Sequence, residues 1–258
     1  MCNNSWSGDW RIALRLFRGP AAVYATALSA GAISVLTVLR IRTQSPPRPR
    51  EPFSLKTIFA GFRYILEHKL IFGSISLDLF AVLLGGAVAL LPVYAREILH
   101  TGPWGLGLLR SAPGIGAAAM ALLIAFQPIR RRAGATMLWC VAGFGAFTIV
   151  FGFSRSLTLS LVSLFFVGAA DMVSVVVRGV LIQIETPDEM RGRVNAVDMI
   201  FIGASNELGE FESGLAAQWL GAVPAVVLGG AGAILVTVLW AWLFPELRNA
   251  DKLIRSQT

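Results

Sequence analysis

Residues 157–183, LTLSLVSLFFVGAADMVSVVVRGVLIQ, decide the fold. Across that whole length only Asp171 and Arg178 are ionisable. A hydrocarbon core about 30 Å thick needs about 20 mostly apolar residues in helical form, because each advances only about 1.5 Å. Lipid offers a backbone amide no partner outside its own helix, so a segment this long and this apolar reads as a transmembrane helix.

The same reading extends outward in both directions. Six further stretches have the required length and composition: 20–40, 70–94, 105–127, 134–153, 196–218 and 223–244. The whole chain agrees with them. Of its 258 residues, 55% are hydrophobic and 14% charged, and the mean hydropathy is +0.68. These values lie outside the usual soluble range and predict an all-α membrane protein of about seven transmembrane helices. A formal charge of +7 and a pI near 10.2 could suggest nucleic-acid binding, but the basic residues lie between apolar runs instead of on one folded face. No nucleic-acid partner is expected.

The distribution of positive charge sets the expected orientation, because Lys and Arg are retained on the cytoplasmic side. Of the 22 basic residues, most fall in alternate connections: segment 40–69, the Arg130 to Arg132 turn, the turn with Arg191 and Arg193, and the C-terminal tail. The opposite connections hold only Arg96 and Arg155. This places the N-terminus outside and the C-terminus in the cytoplasm, in the plasma (inner) membrane. Arg11, Arg15 and Arg18 ahead of the first span resemble the charged region of a signal peptide. A run as long as 20–40, with seven basic residues after it, favours a retained span.

The expected organisation is an arm over 1–19, a first transmembrane helix over 20–41, a cytoplasmic loop over 42–69, six helices within 70–246 and a tail over 247–258. The loop opens with TQSPPRPREP, which cannot form a helix interior. It continues as SLKTIFAGFRYILEHK, with Ser54 as an N-cap and Ile58, Phe62, Ile65 and Leu66 at helical spacing opposite Lys56, Arg63 and Glu67. Such an amphipathic helix fits either the membrane interface or the surface of the bundle.

Glycine pairs at 105/107 and 114/116 lack the preceding strand and following acidic residue of a dinucleotide site. Small residues at Gly114, Gly116, Ala117, Ala118, Gly143 and Gly145 are read instead as points of close helix approach. Cys2 and Cys140 form no disulfide framework, and His68 and His100 have no ligand partner at metal spacing. Neither a cofactor, a metal nor an enzymatic constellation is expected.

Ionisable residues inside spans carry most of the functional information, because a charge in hydrocarbon normally faces a cavity or a partner. The second span has Asp78, the third Arg110, the fifth Asp171 and Arg178, and the sixth Asp198, Glu207, Glu210 and Glu212. The first, fourth and seventh have none, which marks them as lipid-facing. Asp171 and Arg178 are two helical turns apart and share a face, as do Asn206, Glu207 and Glu210. Six carboxylates against two arginines cannot all be ionised and paired, so some hold a proton in a transport role or lock helices by hydrogen bonds. In the structural alternative, Asp198 and Glu212 lie near the interfaces and the rest lock the helices.

Residues 77–118, the segment AADMVSVVVRGVLIQIETPDEMRGRVNAV (169–197) and FIGASNELGEFESGLAAQWLGAVPAVVLGG (201–230) resemble the enterobactin-exporter-like, or transmembrane secretion effector, branch of the major facilitator superfamily. TPDEMRGRV at a cytoplasmic turn followed by SNELGEFESG is the most specific part. The resemblance covers about residues 20–248 and implies that the seven spans match the family's sixth to twelfth helices, the C-terminal six-helix half plus one. It also implies that every third helix is peripheral and that two six-helix halves rock about a central site. The departure is length, because members have twelve helices, so the chain reads as part of a longer or internally started protein.

The resulting expectation is an efflux transporter component, exporting a small organic molecule such as a drug or siderophore by alternating access, with proton coupling. Asp78, Asp171 and Arg178 are expected to line the substrate path; Arg110, Asn206, Glu207 and Glu210 are expected to gate it or couple it to protons. The expected partners are the lipid bilayer, the small-molecule substrate, and either the missing N-terminal half or a second copy. The alternative is a truncated or partner-dependent membrane protein that does not transport by itself.

Overall fold

The structure, a computed structural model, describes residues 20–40, 55–129 and 132–250. The described part of the chain is helical, and it divides into two compact units, Met1–Pro52 and Phe53–Thr258. In the first unit, α1 (Pro20–Arg40) is apolar, and every side chain from Gly31 to Arg40 is exposed. The Ser54 N-cap expectation falls outside the described residues.

The second unit begins with α2 (Leu55–Glu67), followed by α3 (Lys69–Leu84), α4 (Pro103–Phe126), α5 (Ala133–Phe153), α6 (Leu157–Glu185), α7 (Asp188–Leu220), α8 (Ala222–Leu243) and the single turn α9 (Pro245–Arg248). Five segments are long and apolar enough to cross a membrane: Lys69–Ile98, α4, α5, α6 and α8. The chain is therefore a multi-pass all-α membrane protein. Of the other two expected spans, α1 contributes the shorter apolar stretch Gly31–Arg40. α7 has 33 residues, long enough at about 1.5 Å per residue, but it carries Asp198, Glu207, Glu210 and Glu212 where the other helices are apolar.

The second expected span is broken. α3 stops at Gly85, a 3-10 turn spans Ala87–Leu90, and the chain continues through Leu91–Val93 into a π-helical turn at Tyr94–Ile98. Gly85 lies against the Phe144 ring and Gly86 against the Ser213 hydroxyl, so a side chain at either position would collide with its neighbour. Beyond the break, Tyr94 stacks on Phe151 with ring centroids 4.5 Å apart and donates a 2.9 Å hydrogen bond to the Gly152 carbonyl.

Small residues set two helix crossings, as expected, although only part of the expected set takes part. At the α5/α8 crossing, a Cβ added to Gly145 would sit 2.6 Å from the Gly230 carbonyl oxygen, and the reverse distance is also 2.6 Å. α4 and α6 meet with Gly116 on the Phe165 carbonyl and Gly168 on the Pro113 carbonyl. Gly114 and Gly143 face open space, because each lies two residues, more than half a helical turn, from the seam glycine Gly116 or Gly145. The charge-free helices α5 and α8 thus pack tightly on each other. The least buried of the five spans is α4, which carries Arg110, so the exterior of this unit does not simply follow the charge-free helices.

α2 lies on the bundle. Ile65 is buried with Ile71, Ile75, Ile182, Val194 and Val197, and Gly61 approaches the Arg193 carbonyl so closely that a Cβ would come within 2.8 Å of it. The Tyr64 hydroxyl donates to the Glu185 carbonyl at 2.9 Å, and burial together with the Glu185 charge raises the Tyr64 pKa, keeping the donor proton in place. The expected apolar stripe is split, because Ile65 turns inward while Phe62 and Leu66 remain exposed. Arg63 and Glu67 pair at 2.8 Å on the outside.

Candidate functional site: a buried charge cluster between three helices

Between α3, α6 and α7, Arg178 binds two carboxylates at once. Its Nη1 donates to Asp198 Oδ1 at 2.6 Å, and its Nη2 lies 3.3 Å from Asp78 Oδ2. The Ser174 hydroxyl, one turn earlier on α6, donates to Asp78 Oδ1 at 3.0 Å. Arg178, Asp78 and Asp198 are 3%, 6% and 8% exposed, so solvent does not screen this cluster. Removing one partner of a buried pair leaves an uncompensated charge, which is why such sets stand or fall together.

Asp171 stands beside the cluster. It is partly buried and has neither a hydrogen bond nor an ion pair among the described residues. It lines a cavity of about 10 Å³ with Asp78, Ser174, Val82, Val141 and Phe144, room for about one water. Within the guanidinium, Nε is buried without a partner. The cluster therefore contains one surplus donor and one surplus carboxylate.

The structure distributes the expected site residues between two environments. Asp78 and Arg178 are closed inside the unit, with Asp171 at their edge. Arg110, Asn206, Glu207 and Glu210 are exposed on α4 and α7. Asp198 is an ion-pair partner of Arg178, and Glu212 is exposed. Hairpin geometry is the signal that finds the Asp198 contact. Arg178 lies about 12 Å before the Thr186–Pro187 turn and Asp198 about 16 Å after it, so antiparallel helices bring them to similar depth.

That turn is tied by Arg191, whose guanidinium pairs with Asp188 at 2.7 Å and donates to the Gln183 carbonyl at 3.0 Å. A cation on the free carbonyls at a helix C-terminus is favourable for both charge and hydrogen bonding. The sequence TPDEMRGRV thus supplies a helix stop, a new helix start and the residue that ties them together.

The sequence matches the transmembrane secretion effector family over residues 12–257. The chain belongs to this family. Among its relatives, the enterobactin exporter EntS of Citrobacter koseri is 29% identical over 232 residues, covering 90% of this chain and 55% of that protein. The protein of the same name from Escherichia coli O1:K1 is 29% identical over 221 residues, covering 85% and 49%. The chain spans about half the length of the curated relatives it matches. No solved structure matches it.

The chain places its ionisable residues in two settings. The buried cluster joins helices from separated parts of the sequence, so its protonation or pairing state bears on how α3, α6 and α7 are held together. The exposed set on α4 and α7 calls for water or another protein surface, since exposed charge against hydrocarbon is costly.

Proposed function

We propose that this chain forms part of an efflux transporter that carries a small organic molecule outward across the inner membrane by alternating access, driven by protons. The observation that carries this reading is the exposure of Arg110, Asn206, Glu207 and Glu210 on long membrane helices, because such a face calls for an aqueous path or a protein cover. Membership of the secretion effector family and likeness to proteins named enterobactin exporter support a drug or siderophore as cargo. Exposed carboxylates and an arginine on one unit suit a path for polar or charged molecules. Asp78 and Arg178 line the path only when α3, α6 and α7 separate; in the conformation seen they are closed off, with Asp171 at their edge. The alternation of basic connections supports a cytoplasmic C-terminus.

The chain's length relative to its relatives favours a second reading alongside the first, in which transport requires a complement: the N-terminal half of a transporter or a second copy. Proteoliposomes test both. Uptake of a catechol siderophore and of a cationic dye would be followed under an imposed pH gradient, with the mass of the reconstituted species measured in parallel. Gradient-dependent flux is the expected result for a complete assembly. Flux from a monomer of this chain would eliminate the complement requirement, whereas equal flux with and without the gradient would eliminate proton coupling.

A further inference from the structure

We infer that Asp171 is the proton-binding group of this unit and that its ionisation governs the Asp78–Arg178–Asp198 lock between α3, α6 and α7. The inference rests on the transport reading and deepens it, by moving the coupling proton from the exposed carboxylates of α7 to a carboxylate at the edge of the buried cluster. The argument begins with charge. Three carboxylates, Asp78, Asp171 and Asp198, share one guanidinium. With all four ionised the cluster would carry a net charge of −2, which is unfavourable where water is scarce. Two of the carboxylates are in contact with Arg178, and Ser174 adds a hydrogen bond to Asp78. Asp171 lacks any such partner among the described residues, so it is the member best satisfied by a proton.

The surrounding helices add no competing charge. α8 has no ionisable side chain, α5 has only Cys140, and α4 has only Arg110, which is exposed. On α3 and α7 the groups facing the cluster are Asp78 and Asp198, and on α6 itself the only cation is Arg178. Asp171 is only partly buried, and the cavity it shares with Asp78 and Ser174 has room for about one water, enough to bring a proton carrier beside its carboxyl.

Loss of that proton then has a defined consequence. A second negative charge beside Asp78 competes for the guanidinium, whose Nε–H is uncommitted, and draws Arg178 along its own helix away from Asp198. The bond given up is the 2.6 Å contact between α6 and α7, while the charge gained, that of Asp171, is on α6 itself. Deprotonation therefore loosens α7, the helix that carries Asn206, Glu207 and Glu210, from α6. Reprotonation restores the lock.

Infrared spectroscopy of the full chain in lipid nanodiscs tests the assignment without requiring transport, so failure of the transport reading and failure of this one are separable. A protonated-carboxyl stretch that disappears as pH is raised is expected, and Asp171→Asn is expected to remove at least half of its intensity while Glu207→Gln leaves it unchanged. Asp171→Glu keeps the test decisive if the asparagine variant does not fold, because the band must then shift in frequency and midpoint. A band unaffected by either Asp171 variant would overturn the proposal. So would a band abolished by sodium chloride at constant pH but not by potassium chloride, which would make the cluster a sodium site.

Discussion

The α5/α8 seam and the α3/α6/α7 seam hold neighbouring parts of the same unit by opposite means. The first is free of charge. Gly145 and Gly230 let two backbones approach until each carbonyl would touch a Cβ on the other helix, and Gly152 fits against Val226 and Val227. The second has a guanidinium between two carboxylates as its central contact. Lipid tails are as apolar as leucine, so helices in a bilayer gain little from simple hydrophobic exclusion and must associate by close packing or polar bonding. A glycine seam has one stable arrangement. A charge seam can be rewritten by a single proton, so it is the seam suited to move.

This contrast predicts a graded series of effects. Arg178→Met should be the most damaging change, because it leaves Asp78 and Asp198 buried without a cation, a loss of about 3–5 kcal/mol. Unfolding in mixed micelles would show it, and adding Asp78→Asn and Asp198→Asn to the same variant should recover much of the loss. Failure of that rescue would mean that Arg178 contributes mainly by packing. Gly145→Val should come next, costing about 1–3 kcal/mol by forcing the two helices apart. Cysteine cross-linking across α5 and α8 should weaken in step. If Gly145→Val proved neutral, the seam would not be a fixed one.

A smaller effect is expected from Tyr64→Phe, which removes one hydrogen bond, worth about 1 kcal/mol, between α2 and the end of α6. Faster protease cleavage near Glu67 with little change in global unfolding would confirm that α2 is a separately released strap. The smallest effects should come from Gly143→Ala and Glu207→Gln, each within about 0.5 kcal/mol of the parent, since Gly143 meets open space and Glu207 is exposed. A large stability loss from Glu207→Gln would place that side chain in a buried network and erase the distinction between the two sets of charges.

Much of this contrast was legible in the sequence in outline and illegible in its pairing. Hydropathy located the helices, and the unequal placement of Asp78, Asp171, Arg178 and Asp198 marked which of them carry polar cargo or contacts. Spacing along one helix suggested that Asp171 and Arg178 act together, because residues seven apart share a face. It could not show that Arg178 instead binds Asp78 and Asp198 from two other helices, nor that Ser174 supports Asp78. Gly114 and Gly116 had equal standing as packing residues, yet only Gly116 meets another backbone. The stretch 70–94 read as one span, although two glycines in succession permitted the break at Gly85.

The sequence by itself determined the solvent of this protein, the approximate positions of its long helices, the alternation of basic connections and the family to which it belongs. Those properties follow from composition and short-range periodicity, which are set along the chain. Only the tertiary structure decided which charges are closed inside and which face outward, and which member of each glycine pair lies in a seam. The physical reason is that a buried ion pair depends on the depth and rotation of separate helices. Those quantities are fixed when all the seams pack at once, and no single segment contains them.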